Sequence, residues 1–271
     1  VLFVLLATLT SRYQGAVIGI IALLGCILIE TLYAVFAAHR FFRALPARSG
    51  EPPTYRWLWQ FSWPIMLMQI AESGVSFTVN IFLGRLVRPE LALAAFGVLD
   101  SIVRVLLSPL RNLILTTQTL LQAESDTRVL IIFSCQVAAI FCVLMGFFYV
   151  PSVRDWILFD VVRLPADIAS YVGSALRIGV LLALCMAGAC LTRGLLIASH
   201  NTGAIALTSA VRVVAVVATG VLGVALEASN GAMLGIIALT VAFATEAVIL
   251  TSYLVRLHVC SQPIRGQGSS G

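Results

Sequence analysis

The sequence predicts an all-α polytopic membrane protein, on three observations. Of the 271 residues, 60% are hydrophobic and only 11% charged, whereas soluble domains are nearer a quarter charged. Mean hydropathy is +1.03. The apolar residues fall in long runs rather than in alternation, so helices and not a barrel satisfy the backbone in lipid. The net charge of +5 comes entirely from Arg on the basic side. These charges are divided among short loops and helix interiors, which gives no nucleic-acid-binding face. Six cysteines lie mostly inside apolar runs without CxxC spacing, and the three histidines fall in loops or at helix ends. No metal, cofactor or disulfide is predicted from them. No span contains an HxxxD, HExxH or DxxD pattern, so an enzyme is not predicted.

The elements follow in order. Residues 1–10 are apolar but too short to span, and no basic segment precedes them. They read as part of a helix that starts upstream, so the chain is expected to be a piece of a longer protein. The first full span is 16–38. Residues 39–60 combine Arg40, Arg43, Arg48 and Arg56 with Pro46, Gly50, Pro52 and Pro53, which predicts a basic, helix-breaking linker. Six spans follow, at 61–84, 91–121, 129–150, 169–198, 204–226 and 231–255. Most are joined by short links such as Arg85–Glu90, which imply antiparallel neighbours. The longer link Pro151–Ile168 carries Trp156 and predicts a short interfacial helix, while Trp57, Trp59 and Trp63 read as an aromatic belt. Pro64 is expected in the first turn of its helix, where a missing N–H costs little. Residues 257–271 predict a disordered tail. The domains are therefore 1–38, the end of one lobe; 39–60, a linker; and 61–256, a six-helix lobe. Six spans are a natural half of a carrier built from two repeats. Loop arginines place the linker and the C-terminus in the cytosol, with the chain in a bacterial inner (cell) membrane.

Two successive spans carry polar stripes. Asp100, Arg104, Ser108, Arg111 and Gln118 recur at offsets of 4, 8, 11 and 18 from Asp100, on one helix face. Gln69, Glu72, Ser73, Ser76 and Asn80 recur at offsets of 3, 4, 7 and 11 from Gln69. Charge facing lipid is costly, so these stripes should face protein or water. Ser73 and Ser76 could serve as interhelical glue, and Asp100 could simply neutralise Arg104. Glu72, roughly 17 Å into its span at 1.5 Å per residue, needs a partner or a raised pKa. Arg111 has no acid on its own stripe and needs one from another helix, or an anionic ligand. Arg177, Arg212 and Glu246 are also deep, and an ion pair from Arg177 or Arg212 to Glu246 could hold the lobe together. Arg193 lies near a span end and is expected to snorkel to the interface. Glu30 has no readable partner. The interior charge is slightly basic, which favours an anionic over a cationic substrate.

These residues fall in an order that resembles a known family. Phe61-Ser62-Trp63-Pro64 is followed by Asn80-Ile81-Phe82 and Gly84-Arg85. Ala175-Leu176-Arg177-Ile178, Val211-Arg212-Val213-Val214 and Gly231-Ala232-Met233-Leu234-Gly235 then precede Glu246, and Pro46-Ala47-Arg48-Ser49-Gly50 lies ahead of them all. Together, over about residues 20–256, they resemble the second lobe of the progressive ankylosis family. That family belongs to the multidrug/oligosaccharide-lipid/polysaccharide (MOP) superfamily, which also holds the multidrug and toxin extruders (MATE). The resemblance implies the C-terminal six-helix lobe of a twelve-helix, two-lobe transporter, with the last helices of the N-terminal lobe ahead of it. It implies alternating access and export of a small anion such as pyrophosphate, citrate or a nucleotide. The alternatives are a multidrug extruder and a lipid-linked oligosaccharide flippase. Arg177, Arg212, Glu246 and Asn80 match positions of that family, whereas the region Asp100–Arg111 does not align with it; Arg104, Arg111, Glu72 and Asp100 come from the polar stripes. The expected substrate-binding residues are then Arg104, Arg111, Arg177, Arg212 and Asn80, and the expected coupling or gating residues Glu72, Asp100 and Glu246. Partners would be membrane lipid, the other lobe and the anion, with no nucleic acid and no cofactor. At Glu72 the family pattern has a neutral polar residue, and this chain departs from it.

Overall fold

The computed structural model describes residues 15–44, 54–122, 127–199, 201 and 203–261, and every regular element among them is helical. The predicted partial span 1–10, the middle of the predicted linker at 45–53 and residues 262–271 of the predicted tail lie outside the described residues. Among the described residues, seven stretches are long and apolar enough to cross a membrane, which fits an integral membrane protein. The chain divides into two units, Val1–Pro53 and Thr54–Gly271.

The first unit contributes α1 (Gly15–Ala44), which continues past the predicted end at residue 38. Leu23, Leu28 and Phe36 are exposed on it, as is Glu30.

The second unit opens with α2 (Tyr55–Leu83), inside the predicted linker. The start is set by Thr54, whose side chain accepts a hydrogen bond from the Trp57 N–H at 3.4 Å. Early initiation brings Trp57 and Trp59 into the helix. There they stack one turn on, against Phe61 and Trp63, with ring centroids 5.8 and 5.6 Å apart. It also moves Pro64 from the predicted first turn to the helix interior, where it cannot donate to the Gln60 carbonyl.

The predicted span 91–121 is not one α-helix. It consists of α3 (Pro89–Leu107), a 3-10 turn over Ser108–Arg111, and α4 (Asn112–Gln122). Pro89 and Glu90 suit the start of α3. Pro109 explains the break: it has no N–H for the Val105 carbonyl, and the Ser108 hydroxyl donates to that carbonyl instead, at 3.3 Å.

Beyond α5 (Thr127–Gly146) the chain turns through Phe147–Tyr149 into the short α6 (Pro151–Asp155) and a π turn at Trp156–Val161. Arg163 then takes a left-handed conformation, φ 57°, and ends the segment. The predicted span 169–198 is also divided, into α7 (Ala166–Leu176) and α8 (Gly179–Ala198), with the break at Arg177 and Ile178. After α9 (Gly203–Ala225), α10 (Gly231–Ser261) runs into the predicted tail. Asn230 caps α10 by accepting from the Met233 N–H at 3.0 Å.

Helices α8 and α10 form the centre. More than half of each one's apolar window is buried (56%), against 17% for α2. They pack on each other; α10 also meets α9 and α3, and α8 also meets α4 and α5. Between apolar helices in lipid, close packing replaces the hydrophobic drive, so small residues sit at the crossings. Gly235 faces the Phe96 ring, and a Cβ there would collide with it. At Gly194 a Cβ would lie 2.6 Å from Thr117 Cβ and 3.0 Å from the Ile114 carbonyl oxygen. Only glycine lets α8 approach α4 this closely, one residue from Arg193.

Candidate functional site

The centre of the bundle holds four charged side chains from four helices. Glu246 of α10 is fully enclosed, and Arg193 of α8 grips it with two parallel bonds, Nε to Oε1 at 2.6 Å and Nη2 to Oε2 at 2.5 Å. Arg212 of α9 donates from Nη1 to the same Oε2 at 3.1 Å and from Nη2 to the Met68 carbonyl at 3.3 Å. Glu72 of α2 closes the group, accepting from Arg193 Nη1 at 3.2 Å and lying 3.8 Å from Arg212 Nη1. The side chains of Arg193, Arg212 and Glu246 are at most 2% exposed. Phe243 lies under both guanidinium groups, 5.8 and 5.7 Å from its ring centroid, a cation–π arrangement that suits a desolvated cation. Two cations and two anions balance, as a buried ionic cluster must. Arg212 Nε is buried without a partner.

Outside this quartet lies a wetter set. Arg111, on the 3-10 turn, reaches Glu72 Oε1 with Nη2 at 2.7 Å, and its side chain is 45% exposed. Glu72 therefore bridges two environments, with Oε1 on the exposed arginine and Oε2 on the buried one. One turn apart on α3, Asp100 accepts from Arg104 Nε at 2.7 Å, and the Arg104 side chain is 49% exposed. Arg104 Nη2 also donates to the Ser76 hydroxyl at 2.5 Å, tying α3 to the polar stripe of α2. Together these groups line a cavity of about 270 Å³, whose apolar wall includes Val75, Leu107 and Phe243. That is a small ligand's volume. Arg104, Arg111 and Arg212 stand in it against Glu72 and Asp100, so guanidinium groups outnumber carboxylates. Planar forks at the mouth of a low-dielectric hollow suit a small oxyanion.

The structure thus brings Arg104, Arg111, Arg212, Glu72, Asp100 and Glu246 to one region. Two of the predicted substrate residues lie elsewhere. Asn80, one turn past Ser76, is exposed near the end of α2 and does not line the cavity. Arg177 is exposed at the α7–α8 break and lines two other hollows. The predicted helix ran straight through that point and carried Arg177 inward; the break leaves it at a helix junction instead.

Arg193 requires a correction in the opposite sense. Predicted to snorkel, it is 2% exposed and holds Glu246. Its distance from the helix end matched snorkelling, but Arg193 lies on the buried side of α8, with Ala189, Cys190 and Leu196, where α8 packs on its neighbours. The signal for this was local: Ala189, Cys190 and Gly194 surround Arg193 with small residues of the kind that mark a helix packed on several sides. Arg111 finds the cross-helix acid it was predicted to need, in Glu72. Among the described residues, no three His, Cys, Asp or Glu side chains gather as metal ligands. Comparison of the chain with family models, with curated proteins and with solved structures gives no match.

Proposed function

We propose that the chain is one lobe of a secondary transporter of the MOP superfamily, ankylosis-like, which moves a small anion by alternating access. The observation that supports this reading is the cavity of about 270 Å³ with half-exposed Arg104 and Arg111 at its mouth and the Arg212 edge behind them. An arriving oxyanion meets guanidinium donors already aimed into a partly dry space, where a charge-assisted bond is stronger than in water. Glu72 occupies Arg111 when no anion does. An anion on Arg111 competes with Glu72 Oε1, while Oε2 keeps its bond to Arg193. Binding therefore exchanges one anionic acceptor for another at Arg111 without stranding the buried cations. That exchange is the switch we assign to the carrier, and a second lobe rocking across the cavity would complete the path.

A second reading from the same superfamily draws on the apolar wall of Val75, Leu107, Leu182 and Phe243, which would suit the greasy part of a lipid-linked sugar phosphate. A cationic drug fits less well, because the lining carries more guanidinium than carboxylate groups. The test is uptake by vesicles containing the full chain, with labelled pyrophosphate, citrate, a lipid-linked sugar phosphate and a cationic dye offered in parallel. The reading predicts saturable movement of one of the small anions, lost in Arg104→Gln. Movement of the dye alone, or anion movement indifferent to Arg104→Gln, refutes it.

A further inference from the structure

Another basic hollow lies apart from the charged cavity. It opens between α6 with its π turn and α7, has a volume of about 370 Å³, and is lined by Arg154, Asp155, Ser170, Gly173 and Arg177 among others. Arg154 is anchored on one side only. Its Nε and Nη2 both reach Asp155 Oδ1, each at 2.9 Å, and the rest of the fork has no hydrogen bond to a described residue. Gly173 makes room for it: a Cβ there would lie 3.3 Å from Arg154 Cδ. Among the described residues the Arg177 guanidinium has no ion pair or hydrogen bond; its backbone alone is engaged, the carbonyl by the Tyr149 hydroxyl at 2.9 Å and the N–H by the Ala175 carbonyl. The Ser170 and Ser174 hydroxyls donate to the backbone carbonyls of Asp167 and Tyr171. The donors left in the hollow are thus guanidinium N–H groups, and the ligand that suits them is a pure acceptor carrying negative charge.

The level of the hollow identifies the source of that acceptor. Tyr149 closes one candidate span and Gly179 opens another, and Arg177 sits between them, bonded to Tyr149. Tyr149 and Trp156, the latter on the π turn beside the hollow, are both exposed. Amphipathic aromatics at span ends mark the headgroup level of a bilayer, and basic pockets between helices at that level take lipid headgroups. A π turn is rare and often marks a site; here it carries both Trp156 and Phe159.

We infer that the hollow between Arg154 and Arg177 binds the phosphate of an anionic phospholipid headgroup. The inference does not depend on the transport reading. It is tested by native mass spectrometry of the full chain purified from mixed vesicles of phosphatidylglycerol and phosphatidylcholine, with inorganic phosphate added in a separate arm. Retained phosphatidylglycerol should fall roughly tenfold in Arg177→Gln and in Arg154→Gln, the size expected for losing one charge-assisted bond. It should fall by less in Arg177→Lys and stay unchanged in Arg56→Gln, an exposed arginine that lines neither hollow. Gly173→Ala, which crowds Arg154, should lower it without removing a charge. Displacement by millimolar inorganic phosphate would assign the same donors to a soluble phosphate and overturn the lipid source. Equal retention by wild type and Arg177→Gln, or equal loss in Arg56→Gln, would overturn the site.

Discussion

The buried quartet and the cavity mouth contain the same chemistry, arginine against carboxylate, and differ in water. Arg193, Arg212 and Glu246 are almost wholly enclosed, and each guanidinium meets more than one acceptor. Arg104 and Arg111 are about half exposed, and each makes a single ion pair. Removing one partner from the enclosed group strands an unsolvated charge. Removing one from the exposed pairs lets water take its place. The comparison teaches that the inner cluster is a fastener and the outer pairs are exchangeable. Only exchangeable groups can bind and release a ligand during a transport cycle. Glu72 belongs to both regions, one oxygen in each, and in the proposed carrier it is the group through which occupancy of the mouth would reach the interior.

The sharpest way to break this comparison is at its buried end. Glu246→Ala should destabilise the fold by about 3–5 kcal/mol, because two buried guanidinium groups lose their shared carboxylate and Glu72 alone cannot balance both charges; thermal unfolding of the purified chain in lipid nanodiscs measures it. A loss under about 1 kcal/mol would mean that water reaches the quartet and that the contrast is false. Next in size is Gly194→Ala, which forces α8 away from Thr117 beside Arg193. It should cost about 1–3 kcal/mol, as overpacking does. Smaller still is Arg111→Gln at the mouth, for which the same assay should show a change below about 1 kcal/mol. The smallest effect is the Asp100–Arg104 coupling. A double-mutant cycle should give about 0.3–0.5 kcal/mol, shrinking as salt rises.

Much of this was legible in the chain itself. Apolar runs set the number and order of the full spans, because in lipid the backbone leaves no alternative to helix. The offsets within the stripes brought Glu72, Asp100, Arg104 and Arg111 to facing sides of neighbouring helices. What was hidden depends on who surrounds whom. Arg193 is no farther from its helix end than a snorkelling arginine would be, and only its place on the buried side of α8, where that helix packs on its neighbours, seals it in. The break at Arg177 was concealed by an apolar run with no proline in it. The break at Ser108–Arg111 did carry a signal in Pro109, which periodicity alone passes over. The helical start at Tyr55 was masked by arginine and proline nearby, although Thr54 stood ready as its cap.

The central claim, that the mouth and not the enclosed quartet exchanges its partner with a travelling anion, is tested most directly by uptake in Arg111→Gln. Vesicles carrying this variant should take up the labelled anion at least about tenfold more slowly than wild type, the cost of one charge-assisted bond, with the unfolding midpoint unchanged. Uptake at the wild-type rate would contradict the account.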